Sequence, residues 1–193
     1  MSGLLRASDS LLLLVDVQER LAPHVHENDR VIENCEWLIG VAEVVGVPVF
    51  ATEHYPEGIG HTVARLRDRL PQGSILRKDH FSCVSESSCR ARIEETGRTQ
   101  IVVAGMEAHV CVMQSAIELK ESGKSVFLVA DAVSSRTPED AACAVERMRR
   151  HGIEIVTREM VLFEWAHRGA TEQFRQLHRR FLKTPSPRGA GQQ

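Results

Sequence analysis

Six short apolar runs punctuate the chain, at residues 11–16, 48–52, 74–77, 100–104, 125–130 and 154–156. Three of them, at 11–15, 101–104 and 126–130, are continuously apolar, as expected of strands covered on both faces. Longer segments with helical spacing lie between the runs. The first, 28–45, ends at Gly46 with Pro48 just beyond, a stop signal. A second runs from about 109 to 122 and stops at Gly123. A third opens with Thr137 as N-cap and Pro138 in the first helical position, and stops at Gly152. A last helix, near 171–182, lines up Phe174, Leu177, His178 and Phe181 on one stripe. This alternation predicts a single-domain α/β fold: a doubly wound, Rossmann-like parallel six-stranded sheet with helices on both faces. The domain is expected over residues 1–183. Residues 184–193, rich in Pro, Gly and Gln, are expected to form a flexible tail.

Composition narrows the function. The 193 residues suffice for one sizeable core, and the 42% hydrophobic content is ordinary for a soluble globule. A net charge of −2 offers no electrostatic case for nucleic acid. The basic clusters at Arg147–Arg150 and Arg179–Arg180 read better as solvated helix faces. No Gly-x-Gly-x-x-Gly or phosphate-loop pattern supports a nucleotide. The five cysteines are odd in number and lack zinc-finger spacing, so free thiols in a reducing compartment are expected. No run is long enough to span a membrane, and residues 1–10 lack the pattern of a secretory signal. A cytoplasmic location is the default expectation.

Chemistry gathers at three strand ends. The run Leu11 to Val15 ends in Asp16, an acid that is costly in a core unless paired. The end of a first parallel strand is also where open α/β sheets place their ligand crevice. The run from Ser74 ends in Arg77-Lys78. The run Ile101 to Ala104 leads through Gly105-Met106-Glu107-Ala108-His109-Val110 to Cys111, at the mouth of a helix. A helix N-terminus favours a thiolate, which makes an activated thiol one reading of Cys111. Taken singly, each residue also has an ordinary reading: a turn or cap for Asp16, a solvated charge for Lys78, a small core side chain for Cys111.

Together these motifs resemble the isochorismatase-like cysteine hydrolases, from about Leu11 to about Leu182. The carriers are Leu14-Val15-Asp16-Val17-Gln18, Thr52-Glu53-His54-Tyr55-Pro56-Glu57-Gly58, Arg77-Lys78-Asp79-His80-Phe81-Ser82, Gly105 to Val112, and Val129 to Arg136. The wording Glu-Ala-His-Val-Cys and Tyr-Pro-Glu-Gly resembles the subgroup of isochorismatase domain-containing proteins. The resemblance implies Cys111 as nucleophile, Asp16 as general base and Lys78 as the cation bridging them. It implies an oxyanion hole from the backbone N–H groups of Glu107 and Cys111, beside a cis Met106–Glu107 peptide. The implied reaction is hydrolysis of a C–N bond in a small amide or carbamoyl-type compound through a thioester. True isochorismatases cleave a vinyl ether and need no thiol, so the full Asp16, Lys78, Cys111 set favours the amidase-like branch. The resemblance also implies a homo-oligomer with a small-molecule substrate.

Two departures qualify the match. Several amidase members carry a small residue at the position of Glu107; its carboxylate is open to two readings, facing the pocket or bonding to nearby backbone or a partner subunit. The metal-binding Asp-x-His spacing of nicotinamidases is absent from the stretch holding Glu53, His54 and His61. Neither a metal nor a cofactor is therefore expected, nor nicotinamidase activity. Gln18, Tyr55, Phe81 and His109 are candidate substrate contacts, with core packing or capping as the alternative for each. The competing reading of the whole chain is a catalytically silent binding or scaffold protein that keeps the fold.

Overall fold

The computed structural model describes residues 3–182; the predicted tail at 184–193 and the domain boundary at 183 lie outside them. Six parallel strands form one sheet: β1 (Ser10–Val15), β2 (Val49–His54), β3 (Ile75–Lys78), β4 (Gln100–Gly105), β5 (Ser125–Val133) and β6 (Glu154–Val156), in the order β3-β2-β1-β4-β5-β6. The helices are α1 (Asn28–Val45), α2 (Pro56–Ile59), α3 (Ala64–Arg67), α4 (Ser87–Glu95), α5 (Met113–Glu121), α6 (Pro138–Arg150), α7 (Arg158–Ala166) and α8 (Glu172–Leu177). Among the described residues no helix is long and apolar enough to cross a membrane.

The apolar strand runs serve both faces, because successive side chains of a strand point to opposite sides. Leu12 and Leu14 of β1, with Val102 and Ala104 of β4, pack into the core under α1, α7 and α8. Leu11, Leu13 and Val15, with Ile101 and Val103, pack into the second core, which holds Ile93 of α4, Ala116 and Leu119 of α5, and Ala144 and Met148 of α6. Burying one such side chain contributes about 1.5–3 kcal/mol, so a polar substitution anywhere in β1 exposes one layer or the other.

Several boundaries differ from the prediction. Strand β1 stops one residue before Asp16, which has φ 49°. Strand β2 runs two residues past 52, and β5 extends to Val133. The predicted helix over 109–122 is two elements: a wide π-type turn at Ala108–Val112, then α5. Helices α4 and α7 were not predicted. For α7 the signal was local: Thr157 accepts from the Met160 N–H, and Val161, Leu162, Trp165 and Ala166 bury one face. In the last helical stretch Leu177 is buried and the Phe181 ring packs edge-on to Trp37 at 5.5 Å. His178 of the predicted stripe is exposed.

The sheet order places its switch point between β1 and β4, whose outgoing connections leave in opposite directions. Gly105 makes that junction close. Its φ is 119°, and a Cβ there would lie 2.1 Å from the Val15 carbonyl oxygen. The Met106 N–H donates to that same carbonyl at 2.8 Å. Only glycine allows the start of the Cys111 turn to press against the end of β1.

Candidate active site

Asp16 sits immediately past β1 in the left-handed region, a conformation Asp tolerates better than most residues. Its N–H donates to the Thr52 carbonyl at 3.2 Å, and its own carbonyl accepts from Gln18 N–H at 2.8 Å. The carboxylate is wholly buried and fully engaged. Oδ1 accepts from the Thr52 hydroxyl at 2.6 Å, and Oδ2 accepts from the Lys78 ammonium at 2.6 Å. Lys78 ends β3, two strands away, and its side chain is as buried as that of Asp16. Its other two protons go to the carbonyls of Phe81 at 2.9 Å and His80 at 3.2 Å. A desolvated ion pair survives only where its remaining hydrogen-bonding capacity is met, as it is here.

Cys111 completes the cluster from the other side of the switch point. Its thiol interacts with both the Asp16 carboxylate and the Lys78 ammonium. Burial pushes the thiol well above the usual range and Asp16 adds to this, while Lys78 opposes it. Cys111 lies in the turn before α5, which begins only at Met113, so burial rather than a helix N-terminus dominates the surroundings of the thiol. What the arrangement offers is a carboxylate ready to receive the proton when the sulfur attacks.

The π-type turn orders the backbone around the thiol. Ala108 N–H donates to the Ser134 carbonyl, His109 N–H to the Ser135 hydroxyl, and the N–H groups of Val110 and Val112 to the Glu107 carbonyl. None of these bonds uses the N–H of Glu107 or of Cys111, the pair predicted to form the oxyanion hole. The Met106–Glu107 peptide is cis. The Glu107 carboxylate, for which the pocket and nearby backbone or a partner subunit were the open readings, accepts from Nε of Arg136 in the same chain at 2.8 Å. Arg136 and Thr52 are site residues that sequence reasoning missed. Both lie inside the quoted motifs, but nothing in the spacing says what they pair with.

The candidate substrate contacts divide. Tyr55 and Phe81 are about half exposed beside the cluster. His109 is half-buried, its Nδ1 3.0 Å from the Ser135 hydroxyl. Gln18 is different: its amide donates to the carbonyls of His54 and Gly60 and accepts from His54 N–H, so it braces the rim with every polar group used. Glu53 is committed as well, to Thr62 N–H at 2.7 Å and the His61 ring at 3.1 Å. Burial works against its charge, but these bonds outweigh it and hold its carboxyl below the usual range. Among the described residues no group of three or more His, Cys, Asp or Glu side chains could hold a metal. A separate open cleft of about 500 Å³ lies between the start of α1 and α6, lined by residues such as Arg30 and Arg149. It includes none of Asp16, Lys78 and Cys111, and its size says nothing about the cluster.

Fold and site together define a class: a doubly wound parallel domain that gathers an acid, an ammonium and a thiol at its switch point. Residues 10–160 match the isochorismatase domain model. The chain belongs to the isochorismatase family and has that family's hydrolase fold. It is 33% identical over 189 residues to isochorismatase domain-containing protein 2 of Danio rerio, covering 96% of this chain and 92% of that one. A MAR1 ribonuclease structure from Caenorhabditis elegans superposes with TM-score 0.85 at 28% identity, covering 98% and 97% of the two chains. The Escherichia coli ycaC product, described as an octameric hydrolase of unknown specificity, shares the fold with TM-score 0.87 at 24% identity, covering 92% and 90%.

Proposed function

We propose that this protein is a cysteine-dependent hydrolase of a C–N bond in a small amide or carbamoyl-type compound, with Asp16, Lys78 and Cys111 as its catalytic residues. The observation that carries this reading is the wholly buried 2.6 Å Lys78–Asp16 pair, both members of which act electrostatically on the Cys111 thiol. Sγ of Cys111 attacks the carbonyl carbon as its proton passes to Asp16. Lys78 remains charged and stabilises the anionic side of that transfer. The oxyanion is received by the N–H groups of Glu107 and Cys111. Collapse expels the amine, which takes its proton from Asp16, and leaves a thioester. Water, deprotonated by Asp16, then attacks the thioester and releases the acid and the thiol. Tyr55, Phe81 and His109 line the approach. Five unpaired thiols fit a reducing, cytoplasmic setting, and the octameric E. coli relative supports a homo-oligomer. The ribonuclease activity named for the C. elegans relative is not carried over, since a net charge of −2 gives a polyanion little to hold.

One observation favours the silent-scaffold alternative: Cys111 is buried, as a core side chain would be. The two readings part in a screen of small amides, ureas and carbamoyl compounds, with acid-quenched protein read by peptide mass spectrometry. The expected result is turnover with an acyl adduct on Cys111, both lost in Cys111→Ala. Turnover that persists in Cys111→Ala, or no turnover and no adduct with any compound, would overturn the hydrolase reading.

A further inference from the structure

An ammonium has three protons to place, and two of the three acceptors at Lys78 are the carbonyls of His80 and Phe81, in the loop just beyond β3. Something must hold that loop still, because a four-carbon side chain will follow its acceptors. Helix α5 does so. The Glu118 Oε2 atom accepts from the Ser82 hydroxyl at 2.6 Å and from the Ser85 hydroxyl at 2.9 Å. Ser115, three residues earlier on the same helix face, accepts from Cys83 N–H at 3.0 Å. Ser82, Cys83 and Ser115 are buried. Elsewhere the loop is held by Glu86, which accepts from Asp79 N–H and lies 3.1 Å from the His80 ring, and by the Phe81 ring, 5.2 Å from that of His54. The helix that grips the loop is also the helix that follows the Cys111 turn. Helix α5 thus follows directly on the turn that holds Cys111 and also anchors the loop that supplies the ammonium's acceptors.

We infer that Glu118 is a positioning residue of the site, which clasps the 79–86 loop through Ser82 and Ser85 and so fixes the Lys78 ammonium beside Cys111 and Asp16. The inference rests on the triad assigned above. Asp16, Cys83, Cys89, Cys111 and Glu86 are among the titratable groups that feel Lys78; Glu118 reaches it through the Ser82 and Ser85 hydrogen bonds.

That route sets the sign of the test. The rate of Cys111 alkylation by iodoacetamide is measured from about pH 6 to 10 in full-length protein, with exposed Cys143 as internal reference. Removing a nearby carboxylate would, by charge alone, ease thiolate formation and speed the reaction. Loosening the Lys78 cradle does the reverse. Glu118→Ala is expected to move the Cys111 profile to higher pH and slow it about tenfold near pH 8, with Cys143 unchanged. Glu118→Gln restores most of the rate, since an amide oxygen can accept from both hydroxyls. An unchanged or faster Cys111 profile in folded Glu118→Ala would overturn the inference. Should that variant not fold, the Ser82→Ala, Ser85→Ala pair keeps the Glu118 charge while cutting the clasp. It must show the same alkaline shift, and an unchanged profile counts equally against the idea. Alkylation needs no turnover, so this outcome is independent of whether any amide proves to be a substrate.

Discussion

The molecule holds two buried cysteines beside an aspartate, on opposite faces of the sheet, and they differ in one respect that matters. Cys35, on α1, is fully buried; its thiol lies 3.9 Å from the Ala132 carbonyl, and burial with the nearby Asp131 charge pushes it up to about 12. Cys111 is raised by burial and Asp16 in the same way. Around Cys35 the cations are spent elsewhere. Arg30 and Asn34 donate to the Asp131 carbonyl, and Arg158 donates its backbone N–H to the Asp131 carboxylate and its guanidinium to Asn34. Around Cys111 the cation reaches both the acid and the thiol. A raised thiol therefore does not distinguish the two sites; the shared ammonium and the adjacent carboxylate do, and they are what the proposed mechanism uses.

The comparison breaks most sharply under substitution of the thiols. Cys111→Ala is expected to lower hydrolysis by at least about a thousandfold. Cys35→Ala should leave turnover within about twofold while costing about 1–3 kcal/mol in urea unfolding. Lys78→Met should cost about 3–5 kcal/mol, because Asp16 is left buried and unpaired, and adding Asp16→Asn should recover part of it. Equal stability of the single and double variants would show that the pair is not desolvated as drawn.

Alkaline pH tests what the buried thiols share. In the unfolded chain they ionise near about 8.5, whereas Cys35 and Cys83 are held to about 12 and Cys89 to about 11 in the fold. The native state keeps protons that the unfolded state has lost, so stability is fully present below about pH 8.5 and falls as pH rises toward those folded values. Cys35→Ala should flatten the fall by about 1.4 kcal/mol per pH unit. A slope unaltered by Cys35→Ala would mean that this thiol ionises freely. The smallest effect is expected at Arg158→Lys, about 1 kcal/mol from a lost fork of hydrogen bonds and a poorer contact with the Trp37 ring, 5.0 Å away, with turnover unchanged.

Local pattern was enough for the layered fold. The apolar runs of β1, β4 and β5, the Gly46 and Gly123 stops and the Thr137-Pro138 start all depend on residues within a turn or two of each other. The proposed trio of Asp16, Lys78 and Cys111 was picked out by resemblance of motifs, not by any spacing that proves contact. The roles of Gln18 and Glu107 were not legible, because each is set by partners far along the chain: His54 and Gly60 for the first, Arg136 for the second. Nor was the upward push on the Cys111 thiol, which follows from its burial and from Asp16, distant in sequence. Strand periodicity and helix ends by themselves determined which segments form and which faces they bury. Only the tertiary structure decided that Lys78 meets Asp16 across 62 residues, because in a parallel sheet neighbours in space are separated by whole crossovers, and their side chains meet only once strand order and register are in place.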